Sequence, residues 1–341
     1  MMTNPRKLKI GVVGATGMVG KSFMETLEQR KFPVELLRPF ASEASLGKSI
    51  TLQGKSYPIE VLKPGCFEGL DLVFFSSGDD ISKEWAPQAV ASGAWAVDNS
   101  AAFRMDPQTH LVVPEVNGDL LTTNPRPQII ANPNCSTIQL VVALKPLLRD
   151  FGIKEVKVSS YQAVSGAGQA AFDELLAQTK QVQMGEKVQS QNFAHQIAFN
   201  CIPQIGSFND EGFTSEEVKV QKETKKILRA PHIHVSAFTV RVPVLNAHAE
   251  TVWVTLDKEV TRDQLLASLK SESGLVVQDN AKGSDYPLQI QVSGKDPVYV
   301  GRIHRDPENP KLWLMWVVSD NIRKGAALNG IQIAERIFDI H

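Results

Sequence analysis

Leu8 to Val13, in K-L-K-I-G-V-V, is mostly apolar with Lys9 as its one charged residue and reads as a buried strand. Gly14, Gly17 and Gly20 punctuate the next few residues. From Val19 to Leu27 the apolar positions then recur at helical spacing. Strand-like runs return at V-E-L-L-R-P-F-A-S (34–42), D-L-V-F-F-S-S-G (71–78) and A-W-A-V-D-N-S-A (94–101), with a helix around Ile81 to Ala91. Strand alternating with helix predicts a parallel sheet. Gly, Ser and Asn close these strands, as expected where ligands sit at the carboxyl edge of such a sheet.

The pattern changes after residue 132. A long strand is predicted over Ile153 to Ala163, a helix over Ala170 to Val182, and strands over 236–244 and 250–256. A helix at Arg262 to Ser271 precedes strands at Leu288 to Val292 and Leu312 to Val318, and residues 325–338 read as a final helix. Longer strands with fewer helices between them predict an α+β domain with a mixed or mostly antiparallel sheet. The fold class is thus α/β, a Rossmann-type dinucleotide-binding domain followed by an α+β domain. The boundary near 132 is marked only by P-R-P and N-P-N.

The length, 341 residues, suits two domains. Hydrophobic residues make up 43% and the formal net charge is −1, so composition points to neither nucleic acid nor an anionic membrane as a partner. No apolar run approaches the roughly 18 residues that span a bilayer. The polar start M-M-T-N-P-R-K lacks the apolar stretch of a signal peptide. Cys66, Cys135 and Cys201 form no CxxC pair and no metal-spaced cluster, so the expectation is no metal site and a reducing, cytoplasmic setting.

Gly14, Gly17 and Gly20, between a strand and a helix, have the spacing of a dinucleotide turn. Glycine lets the backbone approach a pyrophosphate, and the helix start supplies N–H groups. A βα turn that binds nothing is the alternative. Where the second strand ends, Ser42 and Ser45, with Lys48, suit a 2′-phosphate, whereas Glu43 suits a free 2′-hydroxyl. The choice between NADP and NAD stays open on these residues.

Cys135, in N-P-N-C-S-T, stands at the start of a predicted helix, where the dipole and free N–H groups stabilise a thiolate and offer an oxyanion site. Ser136 and Thr137 also suit a helix start. Against this, cysteine is commonly a buried, inert residue, and Cys66 and Cys201 are read that way. His248, just past the strand that carries Arg241, is placed to act as a base, while His232 and His234 lie at a strand edge. Arg104, Lys219 and Arg241 are candidate anion ligands. Lys219 lies in a charge-rich stretch that reads as an exposed helix.

Over nearly its whole length the chain resembles the aspartate-β-semialdehyde dehydrogenase family. The matching stretches are G-A-T-G-M-V-G, N-S-A-A-F-R-M, N-P-N-C-S-T, Y-Q-A-V-S-G-A-G, A-F-N-C-I-P-Q-I-G, E-E-V-K-V-Q-K-E-T-K-K-I-L, R-V-P-V and V-V-S-D-N-I-R-K-G-A-A-L-N. The resemblance implies NADP-dependent, reversible reductive dephosphorylation of L-aspartyl 4-phosphate to L-aspartate 4-semialdehyde, serving lysine, threonine, methionine and, in bacteria, diaminopimelate biosynthesis. It implies Cys135 as acyl-thioester nucleophile, His248 as acid/base and Gln162 as orienting amide. Arg241 and Glu216 would hold the substrate's carboxylate and ammonium, and Arg104, Lys219 and Asn134 the phosphate. Gly14, Thr16, Gly17, Met18, Val19, Ser42, Ser45, Ser165, Gly166 and Asn321 would contact the cofactor.

The resemblance also implies a cofactor domain of 1–132 with 321–341, a catalytic domain of 133–320, and a homodimer or dimer of dimers. Two departures stand out. Ala44 replaces an Arg common in the ribose loop, which leaves NAD open. The usual G-H-S around the histidine is A-H-A, with Ala247 and Ala249. N-acetyl-γ-glutamyl-phosphate reductase, with similar chemistry, and a catalytically silent dinucleotide-binding regulator are the rival readings. Glyceraldehyde-phosphate dehydrogenase is more distant.

Overall fold

The computed structural model describes residues 6–122 and 126–340. The chain forms two compact units. One runs to Pro133 and resumes at Ala326, and the other is Asn134–Gly325.

In the first unit, strands β1 (Leu8–Val13), β2 (Val34–Phe40), β5 (Leu72–Phe75), β6 (Trp95–Asp98), β7 (His110–Leu111) and β8 (Ile129–Ala131) form a parallel sheet in the order β2-β1-β5-β6-β8-β7. A short hairpin, β3 (Ser49–Leu52) with β4 (Lys55–Pro58), stands apart from it. Both faces of a parallel sheet are covered, so an inner strand such as β5, L-V-F-F, is apolar throughout, whereas the edge strand β2 carries Glu35 and Arg38. Leu8, Ile10, Val12 and Phe74 pack on one face with Phe23 and Leu27 of helix α1 (Met18–Gln29). Ile331 and Ala334 of the last helix, α9 (Leu328–Phe338), join them there. Val13, Val73 and Phe75 pack on the other face with Trp85, Ala86 and Ala89 of α2 (Asp79–Ala91). The alternation of Phe74 and Phe75 between two cores is the period-two rule of a strand. A four-residue helix, α3 (Pro114–Asn117), follows β7.

In the second unit, β9 (Ile153–Gln162), β10 (His234–Arg241), β11 (His248–Leu256), β12 (Leu275–Val277), β13 (Val298–Arg305) and β14 (Leu312–Ser319) form a mixed sheet ordered β10-β9-β11-β14-β13-β12. The two outer pairs are parallel and the three inner pairs antiparallel. The other helices here are α4 (Cys135–Phe151), α5 (Gln169–Gln183), α6 (Ser215–Ile227), α7 (Arg262–Lys270) and α8 (Gln289–Val292). Val156, Val158, Val252, Val254, Met315 and Val317 are buried. Their strand neighbours Lys157, Ser159, Trp253, Leu314 and Trp316 are only half-buried or exposed.

The strand expected at Leu288 to Val292 is instead the helical turn α8, with Leu288 as its extended N-cap. The alternation L-Q-I-Q-V is misleading because Ile290 is exposed and only Val292 is buried, against Ala247, Ala249 and Val318. The neighbouring strand β13 was not foreseen. Its pairing is broken between Gly301 and His304, where Arg302 has φ +53°, and this interrupts the apolar pattern.

Candidate active site

In the first unit the glycine turn is built by close approach. Gly14 has φ +81°, and a Cβ there would lie 2.8 Å from the Ser76 carbonyl oxygen. A Cβ on Gly20 would lie 2.3 Å from the Gly14 carbonyl oxygen, so α1 meets the turn with no room for a side chain. Gly17 is the N-cap of α1 and makes no side-chain cap bond. Thr16 and Gly17 are exposed, and Met18 and Val19 half-buried. The accessible start of this 12-residue helix, with no side chain capping it, fits a pyrophosphate. Beyond β2, Ser42, Glu43, Ala44 and Lys48 are exposed while Ser45 is buried. The groups free to meet a ribose are therefore Ser42, Glu43 and Lys48.

Arg104 is also in the first unit and is buried. Its Nε donates to the Asn132 carbonyl at 3.0 Å and its Nη2 to that of Asn99 at 2.8 Å. The Asn132 side chain donates to Asn99 Oδ1 at 2.7 Å and accepts from Asn329 at 2.6 Å. The N-S-A-A-F-R and N-P-N stretches are thereby tied together within this unit.

In the second unit, Cys135 is the first residue of α4 and is half-buried. Asn134 is the N-cap: its Oδ1 accepts the N–H groups of Ser136 at 3.0 Å and Thr137 at 3.2 Å. Ser136 and Thr137 stand in the first turn, as expected of residues that suit a helix start, and the cap is Asn134. The N–H groups of those two residues are engaged by it rather than available to an oxyanion. Asn134 is itself fixed by two carboxylates. Its N–H donates to Glu223 Oε2 at 2.7 Å and its Nδ2 to Glu216 Oε1 at 2.8 Å.

Both carboxylates lie on α6, which is not the exposed helix expected. Glu216, Glu217 and Glu223 are all buried. Glu217 closes a capping box with Thr214 and accepts the Thr239 N–H at 3.0 Å. Glu216 also accepts from Gln162 Nε2 at 3.2 Å and pairs with Lys219 at 3.5 Å. A helix whose buried face is acidic leaves no hydrophobic period, so apolar patterning cannot find it.

Ala163, directly after β9, positions two more groups. Its C=O accepts from Arg241 Nη1 at 2.6 Å and its N–H donates to His248 Nδ1 at 3.1 Å. Accepting at Nδ1 leaves the neutral imidazole proton on Nε2. His248 is fully buried, and its Nε2 has no hydrogen-bond partner among the described residues. Burial, and then the Arg241 charge, hold its pKa well below the ordinary 6.5, so the ring is neutral at neutral pH. Burial also lowers the Arg241 pKa, opposed by Glu216 and Cys135, whose negative charges favour the guanidinium.

Gly166 leaves the space beside both groups clear. A Cβ there would lie 3.0 Å from Arg241 Nη1 and 3.0 Å from His248 Nε2. Gly166→Val should lower kcat/KM by about 100-fold while shifting the melting temperature little, because the added atoms block the two polar groups rather than enter a core. Steady-state kinetics beside a thermal melt checks this, and unchanged kinetics would refute it.

Ser165 and Asn321 are buried together, Asn321 Nδ2 donating to Ser165 Oγ at 2.9 Å. Asn321 Oδ1 accepts the Ala247 N–H at 2.9 Å, and Gln289 Nε2 donates to the Ala247 C=O at 2.6 Å. Ala247 has φ +69°. The residue before His248 is thus held in the left-handed region from both sides, a conformation in which a Cβ is costly. The methyls of Ala247 and Ala249 pack with Val292 and Val318, which compensates for the departure from G-H-S. Sequence reasoning missed Gln289, Glu223 and Ala163. The His232 and His234 side chains are exposed and outside this set, Cys66 is buried and Cys201 exposed. Among the described residues no His, Cys, Asp and Glu cluster is placed to hold a metal, and no helix is long and apolar enough to cross a membrane.

The glycine turn suits a dinucleotide, and a thiol near a buried imidazole and guanidinium suits redox chemistry at a carbonyl carbon. By class this is an NAD(P)-dependent oxidoreductase. Residues 9–123 match the model of the semialdehyde dehydrogenase NAD-binding domain, and residues 144–324 that of the semialdehyde dehydrogenase dimerisation domain. An aspartate-semialdehyde dehydrogenase of Aquifex aeolicus is 48% identical over 96% of this chain and 97% of its own length. Aspartate-semialdehyde dehydrogenase II of Vibrio cholerae, solved in complex with ASA, superposes with a TM-score of 0.95 at 41% identity, covering 98% of this chain and 99% of the other. The Candida albicans enzyme with NADP gives 0.76 at 26%, covering 97% and 98%. The chain belongs to the aspartate-semialdehyde dehydrogenase family.

Proposed function

We propose that this protein reduces L-aspartyl 4-phosphate to L-aspartate 4-semialdehyde with NADP as the physiological cofactor, reversibly, releasing inorganic phosphate in aspartate-family amino acid biosynthesis. The observation that carries this reading is the arrangement about Ala163 and Asn134. The neutral buried imidazole and the buried guanidinium are both bonded to the Ala163 peptide, and the buried Glu216 carboxylate is bonded to Asn134, the cap of the helix that Cys135 begins. The ligands named for the Vibrio cholerae and Candida albicans relatives, ASA and NADP, support the same reading.

In this mechanism the Cys135 thiolate, favoured by the α4 dipole, attacks the acyl phosphate carbon. The C–O bond to phosphate breaks and a thioester forms, which divides one difficult reduction into two easier steps. Arg104 and Lys219 neutralise the leaving phosphate and Asn134 supports it. Arg241 clamps the α-carboxylate and Glu216 receives the ammonium. The glycine turn with Thr16, Met18, Val19, Ser165, Gly166 and Asn321 would hold NADPH, which when bound would supply the hydride. Gln162 and His248 Nε2–H donate to the oxygen of the resulting thiohemiacetal, whose collapse regenerates the thiolate.

A buried carboxylate meeting a free ammonium favours the aspartyl substrate over an N-acylated one, whose amine carries no charge. Exposed Ser42 and Lys48 favour NADP. A phosphate-dependent assay with aspartate semialdehyde should give several-fold higher kcat/KM with NADP than with NAD, and no turnover of N-acetylglutamate semialdehyde. Preference for NAD would overturn the cofactor assignment, and turnover of only the acetylated compound would overturn the substrate. Light scattering on the same sample should give a dimer or dimer-of-dimers mass, with the half-exposed Trp253, Leu314 and Trp316 face of the second sheet covered by another copy.

A further inference from the structure

Of the buried acids that the mechanism above does not use, Glu250 stands apart in making no hydrogen bond to a described residue. Glu250 lies on β11 two residues after His248, so the two side chains leave the same face of the strand. It is fully buried, and among the described residues neither carboxyl oxygen has a hydrogen-bond partner. The amide of Gln139 bears on it outside normal hydrogen-bond geometry, and Gln139 too has both polar atoms unpartnered and buried. Gln139 is four residues after Cys135 on α4, hence one turn away on the same side of the helix. Ser136, three residues before Gln139, has a buried hydroxyl with no partner. Unpartnered buried polar atoms are rare enough that several within one turn of a helix call for a role.

We propose that Glu250 is a positioning residue: with Gln139 and Ser136 it forms a polar floor beneath the first turn of α4, and that floor sets the orientation and ionisation of Cys135. The inference rests on the thiol role proposed for Cys135. Titratable and charged groups stand on the elements around the floor, among them the buried Lys324, next to Gly325, whose added Cβ would lie 2.9 Å from Cys135 Cβ. His248 is on the same strand, Cys135 on α4, Glu216, Lys219 and Glu223 on α6, and Arg241 ends β10. Opposite Glu250, β9 and β14 present Ser160 and Val317, which do not titrate. Of these groups Glu216 acts on Glu250 directly, its charge adding to burial in raising the Glu250 pKa to about 8. At neutral pH the floor is therefore uncharged and does not oppose a thiolate above it. Above pH 8 it becomes negative and does.

The test compares wild type, Glu250→Gln and Glu250→Leu. Alkylation of Cys135 by iodoacetamide is followed across pH 6–10 on the Cys135 peptide by mass spectrometry, which separates it from exposed Cys201. In wild type the rate should rise with pH in two stages, the second delayed by about one pH unit because the floor ionises. Glu250→Gln, which cannot ionise, should give a single titration. Glu250→Leu, which leaves Gln139 without a polar neighbour, should lower kcat about tenfold with KM little changed, and Glu250→Gln should restore it. A Glu250→Gln profile that keeps the wild-type shape would overturn the proposal, as would equal kcat in all three proteins. Alkylation needs no substrate, so it stands even if the wild-type protein fails to turn over aspartate semialdehyde, a failure that would count against the proposed function alone.

Discussion

Cys135→Ala is expected to abolish phosphate-dependent NADP reduction with aspartate semialdehyde, by about 10⁴-fold or more, since a covalent path loses its nucleophile altogether. Two features separate loss of chemistry from loss of structure. The cap of α4 is made by Asn134, whose Oδ1 holds the Ser136 and Thr137 N–H groups, so the substitution leaves the helix start intact. Removing the sulfur from a half-buried site also leaves no sealed cavity, so the melting temperature should move by no more than a few degrees. Dinucleotide affinity, measured by calorimetry without substrate, should be nearly unchanged, because the glycine turn belongs to the first unit. Retained turnover would remove Cys135 from the mechanism, whereas lost cofactor affinity would make the variant a folding defect.

The parts of this molecule that were legible in the sequence are those that apolar spacing encodes. Leu72–Phe75 is apolar and buried throughout, and Leu8–Val13 and Trp95–Asp98 are apolar runs, the first interrupted only by Lys9 and the second closed by Asp98. The glycines at 14 and 20 read as a turn because backbone stands where their Cβ atoms would be. In the polar half of the site His248, Arg104, Lys219 and Arg241 were candidates by residue type and placement, whereas Gln162, Glu216 and Asn134 came only from family resemblance. α6 buries carboxylates, so charge spacing made it look solvated. His248 depends on the Ala163 peptide 85 residues earlier in the chain, a pairing that strand register creates and no local pattern records. The left-handed Ala247 is invisible for the opposite reason: alanine there gives no turn signal, and side chains from Asn321 and Gln289 impose the conformation.

Glu250→Gln should stabilise the protein, and by an amount that grows with pH. The sign follows from proton counting. In the folded protein burial, with Glu216 adding to it, raises the Glu250 pKa to about 8, whereas in the unfolded chain it titrates near 4.5. Between those values the folded state keeps a proton that the unfolded chain has released, so stability falls by about 1.4 kcal/mol for each pH unit of rise. By pH 7 the accumulated cost is about 3 kcal/mol, and above pH 8 it levels off. His248 acts in the opposite direction: its depressed pKa costs stability as pH falls below 6.5, where the unfolded imidazole gains a proton that the buried ring refuses. That contribution is common to both proteins and cancels in their difference. Urea unfolding of wild type and Glu250→Gln at pH 5 and pH 8 isolates the glutamate. The variant's advantage should be small at pH 5 and larger by about 3–4 kcal/mol at pH 8. A gap of equal size at both pH values would mean that the carboxyl is charged throughout, held by partners stronger than the Gln139 amide, and would refute the neutral acid on which this argument stands.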